Sequence, residues 1–250
     1  MSDRDHSRVQ WMELFFDLIF VALIGQLAHG LHSHPTFPGL LLFIGLFASV
    51  WWSWVNLTFA VNVMPSLTVR QLSVAMLAAM LSVGALAVAA PHAVGEQAWL
   101  FAAGNAGIRI VLFVLWIRQV RGDGKAAHIR VLTYNGVTAA LWVASLAVPH
   151  PYGFALWAVA LLLEVVLLVA SSAMWGNGVL ERFNVEHLSE RFGLFVIIVL
   201  GESVLSIVTG LDEAWSAAGG IAAALGLLVV ACLAWTFFFY GIDTMRAGLE

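Results

Sequence analysis

Apolar residues along this chain gather into runs long enough to cross a bilayer, separated by short breaks rich in turn-forming residues. Crossing roughly 30 Å of hydrocarbon takes about 20 helical residues. About eight stretches meet that length: 10–31, 39–62, 70–91, 97–118, 129–148, 152–175, 189–210 and 215–241. The breaks are Ser33-His34-Pro35, Met64-Pro65-Ser66, Ala90-Pro91-His92, Arg121-Gly122-Asp123-Gly124, Pro149-His150-Pro151, Gly176-Asn177-Gly178 and Gly210-Leu211-Asp212, where proline, glycine and small polar residues interrupt helices. The pattern predicts an all-α fold: a polytopic helical bundle forming a single transmembrane domain over 1–250, with no soluble domain between the spans.

Composition agrees. The chain is 62% hydrophobic and 10% charged, and its 11 Trp and 16 Phe stand against 11 Lys plus Arg, which excludes an ordinary soluble domain. The basic residues fall on alternate loops: Arg4 and Arg8 before span 1, Arg70 after span 2, Arg118, Arg121, Lys125 and Arg130 around the fourth break, Arg182 after span 6 and Arg246 after span 8. Loops rich in Lys and Arg stay in the cytoplasm, so both termini are expected there and the span count is expected to be even. The N-terminus does not read as a signal peptide, since Asp3, Asp5, Glu13 and Asp17 fall in or before its first apolar run. A net charge of -4 with scattered basic residues leaves no nucleic-acid footprint, and the expected partner is the lipid bilayer. Cys232 is the single cysteine, so a disulfide or multi-cysteine metal site within one chain is not expected. No nucleotide-binding glycine loop, nucleophile elbow or His-Glu-x-x-His sequence occurs, so no cofactor, metal or catalytic residue is assigned.

Two segments carry a resemblance. They are Glu13-Leu14-Phe15-Phe16-Asp17-Leu18-Ile19-Phe20-Val21 in span 1 and the run from Glu186-His187-Leu188-Ser189-Glu190-Arg191-Phe192-Gly193 to Leu200-Gly201-Glu202-Ser203 leading through span 7. With Trp51-Trp52-Ser53-Trp54-Val55-Asn56, Arg109, and Tyr240 to Asp243, the chain resembles the bacterial low-temperature-requirement protein A (LtrA) family. At the end of span 8 the sequence departs from the family pattern, because Gly241-Ile242 stand where an aromatic directly precedes the Asp. The resemblance implies a multi-pass protein of the cytoplasmic (inner) membrane and, since family members are usually longer, further sequence. It implies no molecular activity, because the family name describes a growth phenotype.

An internal echo points the same way. Glu13 and Gly25-Gln26 in span 1 are matched by Glu190 and Gly201-Glu202 in span 7, and Trp54, Asn62 and Met64 in span 2 by Trp235, Asp243 and Met245 in span 8. A parallel repeat about an axis along the membrane normal is expected, with 1–185 as a first six-span unit and 186–250 as the truncated start of a second. The complete protein would then hold roughly 350 to 400 residues.

Four charges interrupt the apolar runs, and each costs about 2.5–3.5 kcal/mol at the centre of a spanning helix. At about 1.5 Å per residue from the cytoplasmic ends, Asp17 lies roughly 11 Å deep, Arg109 roughly 14 Å, Glu164 roughly 16 Å and Glu202 roughly 20 Å. Arg109 and Glu164, at similar depth, are expected to pair. One guanidinium cannot neutralise three carboxylates, so the rest must be protonated, hydrated or bound to a cation. Glu13 shares a helix face with Asp17, and Arg191, Glu202 and Ser206 share one on span 7, with His187 a turn earlier. The candidate site is therefore Asp17, Arg109, Glu164, Glu202 and Ser203, supported by Glu13, His187, Glu190 and Arg191. The plain alternative is that these groups are interhelical glue worth about 1 kcal/mol each. His29, His32 and His34 read as loop histidines, and Gly219, Ala222, Ala223 and Gly226 as a close-packing stripe. The leading expectation is transport of protons, cations or a small solute rather than catalysis. An intramembrane enzyme acting on a lipid-soluble substrate, and a scaffold or sensor, are the other readings.

Overall fold

A computed structural model describes residues 3–33, 35–64, 67–120, 125–149, 151–172, 184–213 and 215–241. Among them no strand occurs, and helices cover each predicted run: α1 (Asp3–Ser33), α2 (Phe37–Val63), α3 (Val69–Ala89), α4 (Ala98–Gln119), α5 (Lys125–Val131), α6 (Thr138–Ser145), α7 (Tyr152–Ser172), α8 (Val185–Glu213) and α9 (Ala217–Thr236). His34, Pro65-Ser66, Arg121 to Gly124, His150, Gly176 to Gly178, Arg182, Ile242, Asp243, Met245 and Arg246 lie outside the described residues.

Helix starts are written locally. Thr36 precedes α2 in extended conformation, and its hydroxyl accepts from the Gly39 N–H at 3.2 Å. Thr68 forms a reciprocal cap with Gln71 at the head of α3. Ser216 repeats the Thr36 arrangement before α9, accepting from the Gly219 N–H at 3.0 Å. Each cap satisfies an N–H that has no partner within its helix.

Six described stretches are long and apolar enough to cross a membrane: Trp11–His32, Phe37–Val63, Val69–His92, Ala98–Gln119, Val185–Glu213 and Ala217–Gly241. The chain is an integral membrane protein with a polytopic helical fold. The fifth predicted span is helical but interrupted, because the π-helical turn Leu132–Val137 separates α5 from α6. The sixth contains the shorter apolar stretch Tyr152–Leu167.

The chain divides into two compact units, Met1–Phe183 and Asn184–Glu250. In the first, α3 packs on α1 and α4, and α4 is central, touching α2, α3 and α6. Its core is carried by Phe16, Phe20, Leu23, Trp54, Met76, Leu86, Phe101, Ile108 and Trp142, all nearly inaccessible. Helices α3 and α4 approach closely at Gly104, where an added Cβ would sit 2.8 Å from the Ser82 carbonyl oxygen. In the second unit α8 packs on α9. There Gly226, from the expected small-residue stripe, stands close to Ile207 of α8, whose Cδ1 would lie 3.1 Å from an added Cβ.

Candidate functional site

The first unit encloses Glu13, Asp17, Arg109 and Glu164. Arg109, near the middle of α4, is 2% exposed, and Glu164, near the middle of α7, is 3% exposed. Arg109 Nε donates to Glu164 Oε1 at 2.8 Å and Nη2 to Oε2 at 3.1 Å, a two-pronged match of planar groups. Nη1 donates to Ser53 Oγ at 2.9 Å and to Asn105 Oδ1 at 2.9 Å. The guanidinium carbon lies 4.9 Å from the centre of the Trp142 ring, close enough for cation–π attraction. Trp142 in turn stacks on Trp157, whose Nε1 donates to Ser145 Oγ at 3.0 Å. The ion pair thus ties α2, α4, α6 and α7 together.

Asp17 is held differently. Its carboxylate has no exposure, and Oδ1 accepts from Trp54 Nε1 at 2.8 Å, a neutral donor from α2. Glu13, one turn earlier on α1, is also buried, at 3% exposure. Phe20 closes over the same indole, its ring centre 6.1 Å away. Trp52 turns the other way and donates to the Tyr134 hydroxyl at 3.2 Å, which itself donates to Asn56 Oδ1 at 3.2 Å.

In the second unit Arg191 and Ser189 are buried near the start of α8, while Glu190 is exposed and His187 half-buried. Glu202 and Ser203 are half-buried, and the Ser203 hydroxyl donates back to the Val199 carbonyl at 2.9 Å. The polar stripe expected on this helix is therefore uneven: Arg191 is enclosed, but Ser206 is exposed. Packing rather than helical angle decides this, since only the first turns of α8 carry buried positions.

With this geometry in hand, sequence comparison is decisive. The family model described as bacterial low temperature requirement A protein (LtrA) matches residues 8–247. The chain belongs to the LtrA family. An uncharacterized protein of Rhizobium meliloti (strain 1021) is 29% identical over 215 residues, covering 81% of this chain and 51% of that protein. This LtrA chain spans about half the length of the curated relative it matches. No solved structure matches it.

Five residues beyond those expected join the candidate site: Trp54, Ser53, Asn105, Trp142 and Tyr134. Ser53 was visible inside the Trp-rich segment of span 2, and Asn105 lies one turn before Arg109 on α4, the spacing that places two side chains together. Those spacings were readable. Trp142 and Tyr134 carried no local signal, because their roles depend on which helices α5 and α6 pack against.

Proposed function

We propose that this LtrA chain belongs to a transport protein of the cytoplasmic membrane that moves protons, cations or a small solute, with Asp17 as its principal carrying group. The observation that carries this reading is the enclosure of two acidic side chains, Asp17 and Glu13, one turn apart on α1. Glu164 is engaged at both oxygens by Arg109, which makes that pair a neutral strut. Asp17 is fully enclosed in an apolar helix, faces an indole N–H, and has Glu13 buried one turn away. Two enclosed carboxylates a turn apart offer a place for a proton or a cation to be held, and a charge at such depth has to serve a purpose to offset its cost.

The same reading takes the chain to cross the membrane eight times with both termini cytoplasmic, as the alternation of basic residues requires. It also takes 1–185 and 186–250 as one six-span unit and the start of a second. The matching Thr36–Gly39 and Ser216–Gly219 caps ahead of α2 and α9 support that repeat.

Flux in liposomes holding the intact gene product tests the function. Asp17→Asn should abolish proton or alkali-cation flux at matched incorporation, as should Glu202→Gln, each with folding retained. Undiminished flux in Asp17→Asn removes Asp17 from the path. A folded wild type that passes nothing under any gradient turns the search to turnover of a bound lipid-soluble substrate or to a scaffold.

A further inference from the structure

The interruption of the fifth span is a built feature. The π-helical turn Leu132–Val137 holds more residues than an α-turn, and such turns recur at functional places in helices. A widened turn leaves carbonyls without their usual partners, and Thr138 compensates: its hydroxyl lies 2.7 Å from the Tyr134 carbonyl oxygen and 3.3 Å from that of Asn135. On the α4 side, Gly136 approaches the Phe113 ring so closely that a Cβ would sit 3.2 Å from Cε2. The neighbours are shaped to the turn.

Its effect is to aim Tyr134 at α2. There the hydroxyl donates to Asn56 Oδ1 and accepts from Trp52 Nε1, while the Asn56 amide donates to the Trp52 carbonyl at 2.8 Å. Asn56 lies one turn from Ser53 toward the Val63 end of α2, and Ser53 is a ligand of Arg109. Tyr134 therefore stands between the buried pair and the end of the first unit at which α2 finishes and α5 begins.

We infer that Tyr134 is a gating residue, seated by the π-turn, which covers the Ser53–Arg109–Glu164 centre from the α5 end of the unit. When the turn passes its extra residue along the helix and becomes α-helical, the side chain swings by about 100° and uncovers that centre. The role as a transport gate rests on the function proposed above; the covering itself does not.

Cysteine accessibility tests it without requiring flux. In the full chain, Cys232→Ser removes the exposed native thiol, and Ser53→Cys places a new one beside Arg109. A membrane-impermeant thiosulfonate is applied from each side of the membrane in turn. Labelling from the side carrying Lys125 should be slow in this parent and about tenfold faster in Tyr134→Phe, which keeps the ring but loses the hydroxyl's two bonds to α2. Thr133→Ala, next to it and exposed, should stay within about twofold of the parent. Labelling from the opposite side should change in neither. A Tyr134→Phe rate equal to the parent's, an equal acceleration in Thr133→Ala, or acceleration from both sides overturns the gate. Should Ser53→Cys fail to fold, Ser49→Cys, buried one turn further along α2, carries the same comparison. The expected labelling pattern in a protein without flux would keep the gate and discard the transport reading.

Discussion

Arg109→Met is expected to destabilise the bundle by about 3–5 kcal/mol, because it leaves the Glu164 carboxylate buried with no counter-charge. Adding Glu164→Leu to the same chain should restore stability to within about 1.5 kcal/mol of wild type, since two apolar side chains of similar volume then fill the site. Ser53 Oγ keeps its bond to the Ser49 carbonyl at 2.9 Å, and the Asn105 amide keeps its bond to the Phe101 carbonyl at 3.2 Å, while Asn105 Oδ1 loses the Arg109 donor and accounts for the residual cost. Denaturant unfolding in detergent, followed by the fluorescence of the 11 tryptophans, measures the cycle. A double variant as unstable as Arg109→Met alone would show that the guanidinium acts chiefly through Trp142, Ser53 and Asn105 rather than through Glu164. The sign of that difference separates a strut from a pair kept for function.

Gly104→Ala is expected to cost about 1–3 kcal/mol, a large effect for one added methyl. The new Cβ would lie 2.7 Å from Leu86 Cγ and 2.8 Å from the Ser82 carbonyl oxygen. A leucine can change rotamer, but a backbone oxygen on α3 cannot, so the two helices have to separate and disturb the packing around Arg109. Gly84→Ala is the control, because nothing stands within 4 Å of its added Cβ, and its stability should stay within about 0.5 kcal/mol of wild type. Equal midpoints for the two variants would mean that α3 and α4 do not approach as closely as Gly104 indicates. Small residues commonly let membrane helices approach, so the motif class was foreseeable while its location was not.

The Gly104 contact shows where sequence reasoning stopped. Gly104 and Gly107 share the i, i+3 spacing of Gly219, Ala222, Ala223 and Gly226, yet an added Cβ would lie 2.7 Å from Leu86 at Gly104 and closer still to the Ser82 side chain at Gly107, against 3.1 Å from Ile207 at Gly226. Spacing says that a helix has a smooth face; it does not say whether another helix arrives there. The pairing of Arg109 with Glu164 was more accessible, since a lone charge at that depth demands compensation and only one cation was available in the middle of the spans. The partner of Asp17 was hidden for the opposite reason. Trp54 is apolar in any hydropathy count, and its N–H becomes a ligand only once α1 and α2 bring it within 2.8 Å. On span 7, helical angle placed Arg191, Glu202 and Ser206 on one face, but burial along that face is set by what packs against each turn.

From sequence alone came the helical class, the stretches of chain that the described helices occupy, the membrane, and the charges that a bilayer makes expensive. These follow from local chemistry: backbone polar groups without water must be satisfied within a helix, and apolar runs of sufficient length have one favourable environment. Tertiary structure alone decided that Ser53 and Trp142 meet Arg109, that Trp54 holds Asp17, and that a π-turn delivers Tyr134 to Asn56. Each of those contacts joins residues on different helices or depends on how a helix is wound against its neighbours. Which helical faces meet is a balance of packing over the whole bundle, not a property of any one segment.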